Sequence, residues 1–130
     1  MTFQPVSEKE DRIAKAIVDS AFAVHPVPGP GLLKSIYETC FCHDLGKKKL
    51  SYRRQAPAPI LYDGIRFSEG LRLDVLVDET VICELKAVGV RHPVFAAQLL
   101  TYLKLPGKRL GFLINFNVPI IKHGSKRIIL

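Results

Sequence analysis

The stretch RLDVLVDETVICELK, residues 72–86, decides how this chain is read. Leu71, Leu73, Val75 and Val77 alternate with Arg72, Asp74 and Leu76, the period-two pattern of a half-buried strand. Asp78-Glu79 interrupts it as a polar turn, and Val81 to Lys86 resumes as a second strand. With the turn centred near residue 79, Asp74 stands almost opposite Glu84. Directly facing residues place their Cβ atoms roughly 4.5 to 5.5 Å apart. Lys86 lies two residues beyond Glu84 and shares its face, while Cys83 and Leu85 point the other way. Two carboxylates and one ammonium therefore look into a common space.

Facing carboxylates repel unless positive charge lies between them. A hard cation such as Mg2+ satisfies both, with oxygen ligands at about 2.1 Å and water in the remaining positions. Such a metal polarises a phosphodiester and acidifies a bound water. Lys86 is then placed to orient or deprotonate that water, or to stabilise charge on the phosphate. A Glu-x-Lys pair on a strand also commonly marks a solvated face with a modest salt bridge. Context argues against the simpler reading. Glu84 and Lys86 interrupt VICELKAV, residues 81–88, an apolar run that reads as a central strand. Charge is costly there unless it is paired or binds a metal.

Outward from the hairpin, the elements follow from local signals. Ser7-Glu8-Lys9-Glu10 is a capping box opening a helix to about Val24, with Ile13, Ile17, Ala21 and Val24 on its apolar face. The Pro/Gly-rich segment from His25 to Gly31 stops it. A second helix is expected from Leu32 to Leu45, burying Leu33, Ile36, Tyr37, Cys40 and Phe41, with Gly46 as its C-terminal cap. Residues 50–62 contain Pro57 and Pro59 and read as an irregular edge strand; Asp63-Gly64 is a hairpin turn into a strand resuming at Ile65. Pro93 opens a third helix to about Leu105, Leu110 to Phe116 is a fully buried strand, and Lys126 to Leu130 a short edge strand. The order α-α-β-β-β-α-β-β implies one α/β domain over residues 1–130, a mixed sheet flanked by helices. On the third helix Gln98 and Tyr102 are four apart and share a face that overlooks the hairpin.

Composition bounds the function. The 130 residues suffice for a core without disulfides or structural metal. No apolar run approaches the roughly 18 to 20 residues of a membrane span, and MTFQPVSEKEDR has no signal-peptide pattern, so no membrane partner and a cytoplasmic location are expected. Cys40, Cys42 and Cys83 form no metal-ligand spacing and read as reduced, buried thiols. The four histidines, His25, His43, His92 and His123, read as surface or capping residues. Nineteen Lys and Arg against twelve Asp and Glu give a formal charge of +7, which favours a polyanionic partner such as DNA or RNA. Arg53, Arg54, Arg72 and Arg91 are candidate phosphate contacts.

RLD at 72–74, ELK at 84–86 and QLLTY at 98–102, behind an acid-bearing N-terminal helix, resemble the PD-(D/E)XK nuclease superfamily. GPGLLKSIYE at 29–38, ELKAV at 84–88, AAQLLTYLK at 96–104 and GFLINF at 111–116 are similar to its small bacterial GxxExxY family. The resemblance implies a restriction-endonuclease-like core and a nuclease dependent on Mg2+, with Mn2+ as a substitute. Asp74, Glu84 and the Leu85 carbonyl would be metal ligands, Lys86 the catalytic lysine, and Gln98 and Tyr102 a Q-x-x-x-Y element beside the site.

One position departs from the pattern. Gly31 and Tyr37 match, but Lys34 stands where the family carries Glu. Glu38, one helical turn on, is placed to substitute as the acid. Lys34 reads equally as a phosphate-positioning residue. The departure keeps open a second function, a catalytically weak or inactive module that binds nucleic acid or a protein partner. A homodimer is compatible with the sequence.

Overall fold

A computed structural model describes residues 5–130, excepting the side chain of Glu69; the first four residues of the segment read for a signal peptide lie outside them. The capping box starts α1, Glu8–Val24: Glu10 N donates to Ser7 Oγ at 3.1 Å, and Ser7 N to Glu10 Oε1 at 2.8 Å. Its inward face is Ile13, Ala14, Ile17, Ala21 and Val24. His25, expected at the surface or as a cap, ends this helix but is buried, with its Nε2 2.8 Å from the Val118 carbonyl.

The second helix corrects the expectation at both ends. α2 spans Lys34–Lys47, two residues later than predicted, with Leu33 extended at its N-cap. The Tyr37 hydroxyl explains the late start. It donates to the Gly29 carbonyl at 2.6 Å and accepts from Leu32 N at 3.0 Å. Gly29 and Gly31 adopt positive φ of 72° and 99°, which closes the loop against that hydroxyl. Residues 29–32 are thereby held out of the helix, and its buried face becomes Tyr37, Glu38, Phe41, Cys42 and Leu45. Leu33 and Ile36, predicted inside, are 73% and 45% exposed. Gly46 lies within the helix rather than at its cap; the left-handed position after it falls on Lys49.

The strands form one five-stranded sheet in sequential order. They are β1 (Tyr52–Tyr62), β2 (Ile65–Val77), β3 (Val81–Lys86), β4 (Leu110–Asn115) and β5 (Ser125–Ile129). β1 is an irregular edge strand, with a register shift between Ala58 and Ile60. β3 is central and pairs parallel with β4 through the crossover helix α3, Pro93–Lys104; the other pairings are antiparallel. A short 3-10 turn, Ile121–Gly124, precedes β5. The protein is thus the mixed α/β sandwich that the element order implied.

Two apolar cores lie on opposite faces of the sheet. Val75, Val77, Val81, Cys83 and Leu85 pack with α1 and α2, while Leu76 and Ile82 pack with Leu99 and Leu103 of α3. The three cysteines are free, and burial pushes the Cys42 thiol up to about 12 and the Cys83 thiol well up, so both are protonated and inert. Among the described residues no helix is long and apolar enough to cross a membrane.

Tyr37 also stacks on Phe116 of the same core, with centroids 4.8 Å apart. Tyr37→Phe keeps that stacking and orphans Gly29 O and Leu32 N. It is expected to lower stability by about 1–2 kcal/mol in urea denaturation. An unchanged midpoint would show that the hydroxyl does not anchor the loop before α2.

Candidate functional site

β2 is 13 residues long, yet only its last three pair with β3: Val75 with Cys83, Leu76 with Ile82 and Val77 with Val81. The tight turn beyond them places both Asp78 and Glu79 at positive φ, 50° and 52°. Continuing this register one step sets Asp74 opposite Glu84, at the point where the β2–β3 ladder ends. There the carboxylates serve the facing main chain. Asp74 N donates to Glu84 Oε1 at 3.1 Å, and Leu85 N donates to Asp74 Oδ2 at 2.9 Å. Both acids are only 5% exposed.

Lys34, the first residue of α2, places its Nζ 2.7 Å from Asp74 Oδ1. The residue that departs from the expected acid therefore lies in the site as a cation. Glu38, one turn on, is also buried, but its carboxylate is engaged. Arg54 Nε donates to its Oε2 at 3.0 Å and Gln55 Nε2 to its Oε1 at 3.1 Å. Gln55 Nε2 also lies 3.5 Å from Asp74 Oδ1, so one amide links the two acids. Gln55 escaped the sequence reading because it lies in the irregular strand. Its positive φ of 51° sets it off from the β1 alternation, and no motif marks it.

Burial, then the neighbouring Asp74 charge, raises Glu84 from 4.5 to about 7, against the lowering effect of the Asp74 N–H bond, Lys34 and Lys86. The charges of Lys34 and Lys86 offset the burial of Glu84 only in part. Tyr102 on α3 is raised by burial and by the charges of Glu84 and Asp74, which puts the phenol within their field. Gln98 shares the Tyr102 face of α3 and is half-buried.

Lys86 shares the Glu84 side of β3, but its Nζ stands over the Phe95 ring, 4.6 Å from the centroid. The sequence reading missed Phe95, although 95, 98 and 102 follow helical spacing and mark one face of α3. The arginines divide. Arg53 is taken up by a bidentate pair with Glu79 at the turn, Nε to Oε2 at 2.7 Å and Nη2 to Oε1 at 2.9 Å. Arg54 holds Glu38, Arg72 reaches the Gln55 carbonyl at 3.4 Å, and Arg91 lies beside Lys86 on the wall of a cavity. His92 accepts from Val94 N at 3.1 Å and caps α3.

A family model described as the PD-(D/E)XK nuclease superfamily matches residues 11–128. This chain belongs to that superfamily. No curated protein and no solved structure matches it. PD-(D/E)XK nucleases typically use divalent metals, and the donor set here can be tested for that use. It is oxygen-only, and burial followed by the Asp74 charge raises Glu84; both suit a hard cation. Among the described residues no three His, Cys, Asp or Glu side chains gather to hold a metal, so Glu38 adds no third acid. Mg2+ commonly needs only one or two carboxylates, completing its shell with water and substrate phosphate. The pair fits such an ion, with Lys34 competing for Asp74 Oδ1.

The raised Glu84 sets a pH dependence. The folded protein holds this proton more tightly than the unfolded chain. Stability therefore falls as pH rises from about 4.5 to about 7, by roughly 3 kcal/mol or less, and is level above. Glu84→Gln removes the ionisation and keeps an acceptor for Asp74 N. In chelator, its thermal midpoint is expected to exceed that of the wild type at pH 8, with the gain fading towards pH 5. An equal gain at both values would contradict the assignment.

Proposed function

We propose that this PD-(D/E)XK domain is a metal-dependent phosphodiesterase that cleaves DNA or RNA, and that it is of the GxxExxY type. The observation carrying this reading is the buried Asp74–Glu84 pair at the end of the β2–β3 ladder. Asp74, Glu84 and the Leu85 carbonyl would hold Mg2+, or Mn2+ in its place. The bound ion supplies Lewis acidity towards a phosphodiester oxygen and an acidified water.

The chain's own groups bind and orient the strand. Lys86, a point charge on a flexible stem, exchanges its Phe95 contact for a phosphate oxygen and stabilises charge that develops there. Lys34 presents a second ammonium on the Asp74 side, and Arg72 and Arg91 extend the positive rim. Gln98 and Tyr102 act as positioning residues from α3. Glu38, fixed by Arg54, orients Gln55 against Asp74 rather than binding metal itself. Arg53, already paired with Glu79, is the weakest of the candidate phosphate contacts.

The Lys34–Asp74 ion pair favours a second reading, a module that binds nucleic acid without cleaving it, its own ammonium standing in for the metal. One assay separates the two. Purified protein is incubated with Mg2+ or Mn2+ and linear, circular and single-stranded DNA and RNA, beside the Asp74→Ala/Glu84→Ala double variant. Metal-dependent cleavage is expected in the wild type alone, with Lys86→Ala slower by about 10²–10⁴-fold. Cleavage no better than that of the double variant overturns catalysis. Salt-sensitive binding without a metal requirement would then carry the second reading.

A further inference from the structure

A cavity of about 380 Å³ opens between α3 and the β3–β5 edge of the sheet, on the Lys86 side of the carboxylate pair. This size lies in the range of roughly 300–1,000 Å³ typical of small-molecule sites. Its walls have two characters. Phe95, Ala96, Pro93, Val88 and Leu113 make it apolar, while Lys86, Arg91 and Lys126 bring three cations to its rim. None of the three forms an ion pair among the described residues. Asn115, also on the wall, has its amide spent on Val88 and Asn117, so the three cations and the Nε2 side of His92 are the groups placed to meet a ligand.

Register fixes the place of this cavity. Glu84 pairs with Leu113 on β4, and Leu113 pairs with Lys126 on β5. The three stand in one row across the sheet, which puts Lys126 on the order of 10 Å from Glu84. Lys86 borders both the carboxylate pair and the cavity. A ligand that suits the cavity carries negative charge together with a flat apolar part. A nucleotide has both. A base inside a duplex is stacked and paired and cannot enter a pocket without leaving the helix.

From this juxtaposition, and resting on the nuclease reading of the neighbouring carboxylates, we propose that the cavity is a nucleotide subsite. It takes an unpaired base of the bound strand against Phe95, with the adjoining phosphate on Lys86, Arg91 and Lys126. The phosphate draws Lys86 off the aromatic ring, and the base takes the ring face so vacated. The domain accordingly selects single-stranded or frayed nucleic acid over closed duplex.

The test measures binding in EDTA, by fluorescence anisotropy, of a labelled single-stranded oligonucleotide and a blunt hairpin of equal length. The full chain is compared with Phe95→Ala, Phe95→Leu and Arg91→Ala, each checked for folding by circular dichroism. Phe95→Leu keeps the apolar volume and removes the stacking face. Tighter binding of the single strand is expected, weakened at least about fivefold by either Phe95 substitution. Arg91→Ala should weaken it too and flatten the salt dependence. Equal affinity for both oligonucleotides, or single-strand binding indifferent to both Phe95 substitutions, overturns the subsite even if the protein cleaves. Selective, Phe95-dependent binding by a protein that fails to cleave supports the subsite while the catalytic reading falls.

Discussion

Beyond the Val75–Cys83 pair, the side chains of Asp74 and Glu84 take on work that main-chain carbonyls perform elsewhere in the sheet, accepting from Leu85 N and Asp74 N. Each acid is thereby fixed by the strand opposite, and both are buried where their charges repel. The rest of the site follows from this constraint. Leu76 and Ile82 pack under α3, whose Phe95, Gln98 and Tyr102 share one face. Valines and a cysteine on the other side of the same strands pack under α1 and α2 and bring Lys34 onto Asp74.

Positive charge is distributed unevenly around this pair. Lys34 is committed to Asp74, whereas Lys86 is held off by Phe95. A compact ammonium on Asp74 Oδ1 partly neutralises the pair, and yet Glu84 still holds its proton to about 7. The arrangement resembles a cation site with one partial substitute already in place. On the proposed reading, an incoming ion would gain the attraction of Glu84 and would have to share or displace Lys34. An acid at position 34 would, on the same reading, add a ligand where Lys34 adds a competitor.

Much of this was legible in the residues, for reasons of period and punctuation. Alternation in β3 and the Asp78-Glu79 turn set the Asp74–Glu84 register. The alternation expected along β2 breaks at Asp74: Leu71 and Leu73 pack on the α3 side with Leu76, while Val75 and Val77 face α1 and α2. The capping box and Pro93 gave two helix starts. The start of α2 was not legible. It depends on a hydroxyl from Tyr37 closing back on Gly29 and Leu32, a contact no local propensity encodes. Lys34 on Asp74 was equally hidden, since it joins residues 40 apart through the rotation of that helix. Gln55 and Phe95 carry no motif, and their roles exist only once β1 and α3 have packed.

The central claim is that Asp74 and Glu84 form a divalent-cation site that Lys34 partly fills. Titration calorimetry with Mn2+ at constant pH tests it directly, on the wild type, Lys34→Ala and the Asp74→Asn/Glu84→Gln double variant. The account predicts saturable binding in the wild type, tighter binding in Lys34→Ala, and none in the double variant. Absence of binding in both the wild type and Lys34→Ala, or binding that survives in the double variant, would contradict it.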